Sequence, residues 1–147
     1  MGGDVAGARR VLTDTPRLIL EEFRYWDIHR PLAEAWVDAG DGVPTTAART
    51  VTVAAERARS FGRPAREVLC LQTAAQFGDS SGADRLAELS SIVQGPRVGV
   101  ASSHCAALCH GDGDGLLAAS RAYEAFGDRV AAVDAAAQAA VVFRDRG

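Results

Sequence analysis

The sequence predicts an all-α protein in which antiparallel helix hairpins stack as an α-solenoid, one helical-repeat domain over residues 1–147. Three observations predict it. Apolar residues recur every three or four positions in one segment after another, the spacing of a buried helix face. Each of these segments closes on a Gly-containing turn: Ser60-Phe61-Gly62-Arg63-Pro64, Gln76-Phe77-Gly78-Asp79, Gln94-Gly95-Pro96, Gly111-Asp112-Gly113-Asp114-Gly115 and Ala125-Phe126-Gly127-Asp128. The turns fall roughly one helix apart, ~14–18 residues, as in arrays of short helix hairpins. No segment alternates strictly between apolar and polar residues as a half-buried strand would.

The elements follow in order. Asp4 to Leu12 reads as a short helix with Val5, Ala8, Val11 and Leu12 on one face, and Thr13-Asp14-Thr15-Pro16 breaks it because proline has no amide to donate. Leu18 to Trp26 places Leu18, Ile19, Phe23 and Trp26 at helical spacing, although a strand is also compatible. His29-Arg30-Pro31 opens a helix with Leu32 and Trp36 one turn apart and Gly40 as its stop. Pro44 suits a first helical turn, followed by Ala47, Val51, Ala54, Ala55 and Ala58. Pro64 opens the next helix around Val68, Leu71 and Ala75, with Leu69 beside them. Ser80 or Ser81 would cap a helix bearing Leu86, Leu89, Ile92 and Val93. Pro96 starts one through Val98, Ala101, Cys105, Leu108 and Cys109. Asp114 would cap a helix with Leu117, Ser120, Tyr123 and Glu124, and Asp128 the last, from Arg129 to Arg146. Ahead of His29 the repeat pattern is weaker.

Composition narrows the function. With 48% hydrophobic and 24% charged residues, the chain is an ordinary globular domain and not a disordered one. Aromatics make up only 6%, so Ala, Leu and Val must build the core, and small side chains allow close helix approach. A net charge of −3 gives no electrostatic reason to bind nucleic acid or an anionic membrane. Three cysteines without a signal peptide point to free thiols and a cytoplasmic location. The apolar run from Ala135 to Phe143 is too short to span a bilayer.

Tyr123-x-x-Phe126-Gly127 followed by Ala139-x-x-x-Phe143 resembles the tetratricopeptide framework, in which a small residue permits close helix crossing and a bulky one fills the gap. Gly62 with Ala74 keeps the same step, but Gly78 stands where the aromatic belongs. A longer resemblance rests on Ala35-Trp36-Val37-Asp38-Ala39-Gly40 and on Glu67-Val68-Leu69-Cys70-Leu71-Gln72-Thr73-Ala74-Ala75-Gln76-Phe77-Gly78-Asp79. Arg85-Leu86-Ala87-Glu88-Leu89, Gly95-Pro96-Arg97 and the run from Ala131 to Ala140 extend it. Over residues 29–147 the chain is similar to the helical-repeat region of large actinobacterial LuxR-family transcriptional regulators. That resemblance implies a tetratricopeptide-like superhelix passing signals between an ATPase module and a C-terminal helix-turn-helix, and hence a piece of a larger regulator. No Gly-x-x-x-x-Gly-Lys-Ser/Thr phosphate loop occurs and the chain has no lysine, so neither ATP nor DNA chemistry maps onto these residues.

Other constellations carry less. Cys105 and Cys109 are one turn apart and are the candidate metal ligands; His104 and His110 point roughly 100° away on either side. Paired Cys-x-x-Cys knuckles are absent, so small thiols buried in an Ala-rich interface are the preferred reading, with no metal and no cofactor. Asp112-Gly113-Asp114-Gly115 resembles a calcium loop without its ligand spacing and reads as a helix connection. His29 beside Asp27 and Arg30 lacks a nucleophile motif and reads as a surface or capping residue. Arg57, Arg59, Arg63 and Arg66 read as a solvated face, and Tyr25, Trp26 and Trp36 as core before ligand groove. The expected function is therefore a non-enzymatic signal-sensing and protein-interaction segment. Its partners would be the neighbouring modules of a regulator, or a second copy meeting the C-terminal hairpin. A free-standing adaptor or dimerising scaffold is the alternative, because the last helix is apolar nearly all round from Val130 to Phe143.

Overall fold

The computed structural model describes residues 3–15 and 28–147. The expected helix from Leu18 to Trp26, and with it Tyr25, Trp26 and Asp27, lies outside the described residues. Among the described residues there are eight helices and no strand: α1 Val5–Asp14, α2 His29–Gly40, α3 Pro44–Ser60, α4 Pro64–Gln76, α5 Ala83–Ser90, α6 Pro96–His110, α7 Gly113–Ala125 and α8 Arg129–Arg146.

The helix starts follow from side chains that suit a first turn. Pro44, Pro64 and Pro96 open α3, α4 and α6, where their preset φ helps and their missing amide hydrogen is not needed. Asp4, Asp112 and Asp128 cap α1, α7 and α8 by accepting from the amides of Gly7, Gly115 and Ala131. Two expected caps are displaced. Asp112, not Asp114, caps α7, because its carboxylate reaches an amide three residues on. Neither Ser80 nor Ser81 caps α5; Gly82 takes that position, and the Ser81 amide donates to Asp79 Oδ1 instead.

One device ends five of the helices. After α2, α3, α4, α6 and α7, the chain passes through Gly42, Gly62, Gly78, Gly111 and Gly127 at φ of +82°, +62°, +91°, +61° and +89°. The following amide (Val43, Arg63, Asp79, Asp112, Asp128) then donates five residues back, to Asp38, Ala58, Ala74, Ala107 and Tyr123. This is the Schellman closure, and only glycine enters its left-handed turn without strain. The glycines at 62, 111 and 127 thus turn the chain sharply at 61–63, 111–112 and 126–128, between successive helices that pack on one another.

Consecutive helices pack on one another, but α4 is the hub: it meets α3, α5 and α6, and α8 returns to it from the far end of the chain. The main core lies between α3 and α6, where Leu86 and Leu89 of α5 are wholly buried among Val68, Leu71, Val98, Ala101 and Cys105. Ala35, Ala47, Val51 and Ala74 join α2, α3 and α4. The α7–α8 hairpin has its own cluster of Ala119, Tyr123, Ala131, Ala132 and Ala135. Methyl-sized side chains let these rods approach closely. At Gly113 α7 and α8 approach so closely that a Cβ there would stand 2.7 Å from the Phe143 ring. Ile92 and Val11, both expected on buried faces, are exposed: α5 ends at Ser90, and α1 packs mainly on α2.

Candidate functional site

Where α8 meets α4, α6 and α7, apolar packing gives way to a chain of hydrogen bonds. Gln138, in the alanine run of α8, donates from Nε2 to the carbonyls of Ala75 and Gln76 at 2.8 and 3.1 Å. Those carbonyls are among the last of α4, which no intrahelical amide can satisfy. With the amide nitrogen so engaged, Oε1 faces Nε2 of His104 on α6 at 2.7 Å. The orientation sets the imidazole tautomer: Nε2 carries the hydrogen, and Nδ1 accepts from the Tyr123 hydroxyl of α7 at 3.2 Å. His104 and Tyr123 have no exposed surface, and their rings meet edge to face at 5.5 Å. One amide and one imidazole thereby tie four helices together.

Two further links lie along the same seam. Gln76 donates to Asp134 at 2.8 Å, and Gln72 donates to Asp128 at 3.0 Å. Arg97 of α6 donates to Gln72 Oε1 at 2.7 Å and to Asp128 at 2.6 Å. Burial lowers the affinity of His104 for a proton, against the opposing pull of Gln138 and Asp134. Burial also works against ionisation of Asp128, yet the hydrogen bonds from Gln72, Arg97 and the Ala131 amide hold its carboxyl below the ordinary carboxylate range. For Asp134 burial wins, raising its carboxyl despite Gln76.

The expected site residues divide between core and surface. Ala74 and Ala139 are buried at helix crossings, Ala139 against Ala107 and Leu116. Phe126 packs on Tyr123 at 5.8 Å between ring centroids and lies under the Arg97 guanidinium at 5.4 Å. Phe143 covers Gly113 but stays 41% exposed. The two candidate metal ligands separate: Cys105 is buried and donates to the Ser80 carbonyl, whereas Cys109 is exposed, which corrects the expectation that both thiols are buried. Burial, with Asp79 and Cys109 nearby, pushes the Cys105 thiol up to about 11, so it is neither thiolate nucleophile nor ready ligand near neutral pH. Among the described residues no group of three or more His, Cys, Asp or Glu side chains converges on a point that would hold a metal ion.

The described surface offers apolar ground and open grooves. Val130, Val133 and Val141 form an exposed stripe along the outer face of α8, Val133 being 67% exposed. An open groove of about 480 Å³ between α6 and α7 is walled by small residues, including Gly99, Ser103, Ala106, Ala118 and Ala122. Trp36, expected in the core, is 40% exposed; it meets Phe77 edge-on and walls a groove between α1 and α2 with Val5, Val11 and Leu12. No described helix is long and apolar enough to cross a membrane.

His104, Gln138, Gln72 and Gln76 were missed by the sequence reading. Gln138 was findable, as the one amide inside an alanine run, since a long polar side chain among methyls must reach a buried partner. His104 was passed over as a metal candidate whose partners did not share its helix face. No family model, curated protein or solved structure matches this chain.

Proposed function

We propose that the chain is a non-catalytic, tetratricopeptide-like helical-repeat segment that senses a signal and binds protein within a LuxR-type transcriptional regulator in the cytoplasm. The observation that carries this reading is the stripe of Val130, Val133 and Val141 on α8, an apolar helix face turned outward. The regulator setting rests on the sequence resemblance alone. In this reading the hairpins stack as a compact superhelix, and binding at the stripe or at a groove changes how α8 sits on α4. That movement would hold or release a neighbouring ATPase or DNA-binding module. The test is an in-frame deletion of this segment from the intact regulator. Loss of the signal response, with expression retained, is expected; an unchanged response sinks the proposal.

A second reading, an adaptor or scaffold that dimerises through α8, rests on the same stripe. Light scattering separates the two: a concentration-dependent dimer abolished by Val133→Asp favours the scaffold, and a monomer at high concentration removes it.

A further inference from the structure

The joint between α8 and the rest of the protein hangs on a buried histidine in a defined tautomer. We propose that His104 is a proton-controlled latch: protonation of its ring releases α8 from α4, α6 and α7. The inference goes beyond partner binding, since release of α8 is read without any partner.

Nε2–H is committed to Gln138 Oε1, whose own Nε2 holds the α4 carbonyls, so the lone pair left for an incoming proton is on Nδ1. That lone pair accepts the Tyr123 hydroxyl. A second ring proton turns the acceptor into a donor facing a donor. The Tyr123 hydroxyl must then swing its hydrogen away, while its ring stays packed among Ala119, Ala131, Ala132 and Ala135, with Val100 and Phe126 beside them. The ring itself has no exposed surface, so its charge would be carried without water. Opening α8 relieves both problems at once: the ring is hydrated and Tyr123 is freed.

From α7 the ring faces Tyr123, and from α8 it faces neutral Gln138 and, through space, the Asp134 carboxylate. From α4 come the carbonyls of Ala75 and Gln76 beyond Gln138, and on α6 itself the neighbouring Cys105 thiol donates away, to Ser80. Arg97 and Asp128 act on Tyr123, not on the ring. Among the described residues Asp134 is the carboxylate acting on the cation, and it is itself engaged by Gln76.

The sign follows. A histidine that binds a proton less readily when packed than when free makes the closed form lose ground as pH falls below the free value of about 6.5. The loss grows about tenfold per pH unit until the packed ring also titrates. Asp134 works the other way at lower pH, because its protonation removes a half-buried charge.

The experiment uses the whole chain. Amide exchange is followed from about pH 7.5 to about pH 5, the range around the free histidine value, with intrinsic exchange rates divided out. Protection of α8 amides is expected to fall about tenfold per pH unit below about 6.5, while α3 and α4 amides near Leu71 hold. His104→Gln should flatten that dependence, and Asp134→Asn should leave it in place. An unchanged α8 in the wild-type chain, an equal fall in H104Q, or abolition by D134N overturns the latch. Should H104Q not fold, the wild-type ring nitrogens are titrated by NMR. Ring and α8 amides following one curve support the proposal; a ring that titrates while α8 stays protected refutes it.

Discussion

The α3–α6 region and the α7–α8 hairpin are built on different principles, though each contains helices ended by the same glycine device. Between α3 and α6, Leu71, Leu86 and Leu89 interlock in a continuous apolar core. That core is crossed near its edge by one ion pair, in which Arg85 grips buried Glu67 through both carboxylate oxygens at 2.6 and 2.9 Å. Apolar burial is strong and non-directional, so this part coheres across a wide range of conditions. The hairpin buries mostly alanine against the rest and is seated by hydrogen bonds through Gln138, His104, Gln72 and Asp128. Such bonds contribute modestly when made and are expensive when broken, and they depend on protonation. The first region supplies stability; the second supplies a defined position that solution conditions can alter.

The contrast is broken most strongly at Leu86, which is wholly buried. Leu86→Ala should cost about 2–5 kcal/mol by transfer and cavity terms, and urea unfolding should show all eight helices losing stability together. Loss confined to α5 would mean that the core is not continuous. Next is Gln138→Leu, which keeps bulk but removes the donor to the Ala75 and Gln76 carbonyls, of which Ala75 keeps the Gly78 amide, and strands the His104 Nε2–H. Roughly 1–3 kcal/mol should be lost, read by hydrogen exchange in α8 and spared in α3 and α4. A uniform loss would show that the two regions are one cooperative unit.

The smallest effect is expected at Asp128, which caps α8 and meets Gln72 and Arg97. Asp128→Ala should cost about 1 kcal/mol at neutral pH. The folded carboxyl titrates below its unfolded value, so the contribution is present above about pH 4 and disappears as pH falls toward the folded value. Wild type and variant should therefore converge in acid. Parallel pH profiles would place the stabilisation elsewhere.

Much of the helical layout was legible in the chain. The prolines at 44, 64 and 96 and the glycines at 62, 78, 111 and 127 mark starts and stops by backbone geometry, which needs no tertiary partner. Asp128 was legible as a cap for the same reason. Cap positions slipped at Ser80, Ser81 and Asp114, because several residues there can bond a nearby amide and packing chooses among them. Trp36 illustrates a different failure, since helical spacing says which residues share a face but not whether that face is covered.

Local chemistry, then, settled where most of the helices begin and end, because a proline ring, a carboxylate cap and a left-handed glycine act within one turn of chain. Which helices touch was decided only in three dimensions. The return of α8 to α4 depends on Gln138 meeting carbonyls 62 and 63 residues earlier in the chain, and on a histidine whose neighbours come from other helices. Contacts so distant along the chain leave no periodic mark in it, since each is made by single side chains whose meeting depends on how every intervening helix is packed.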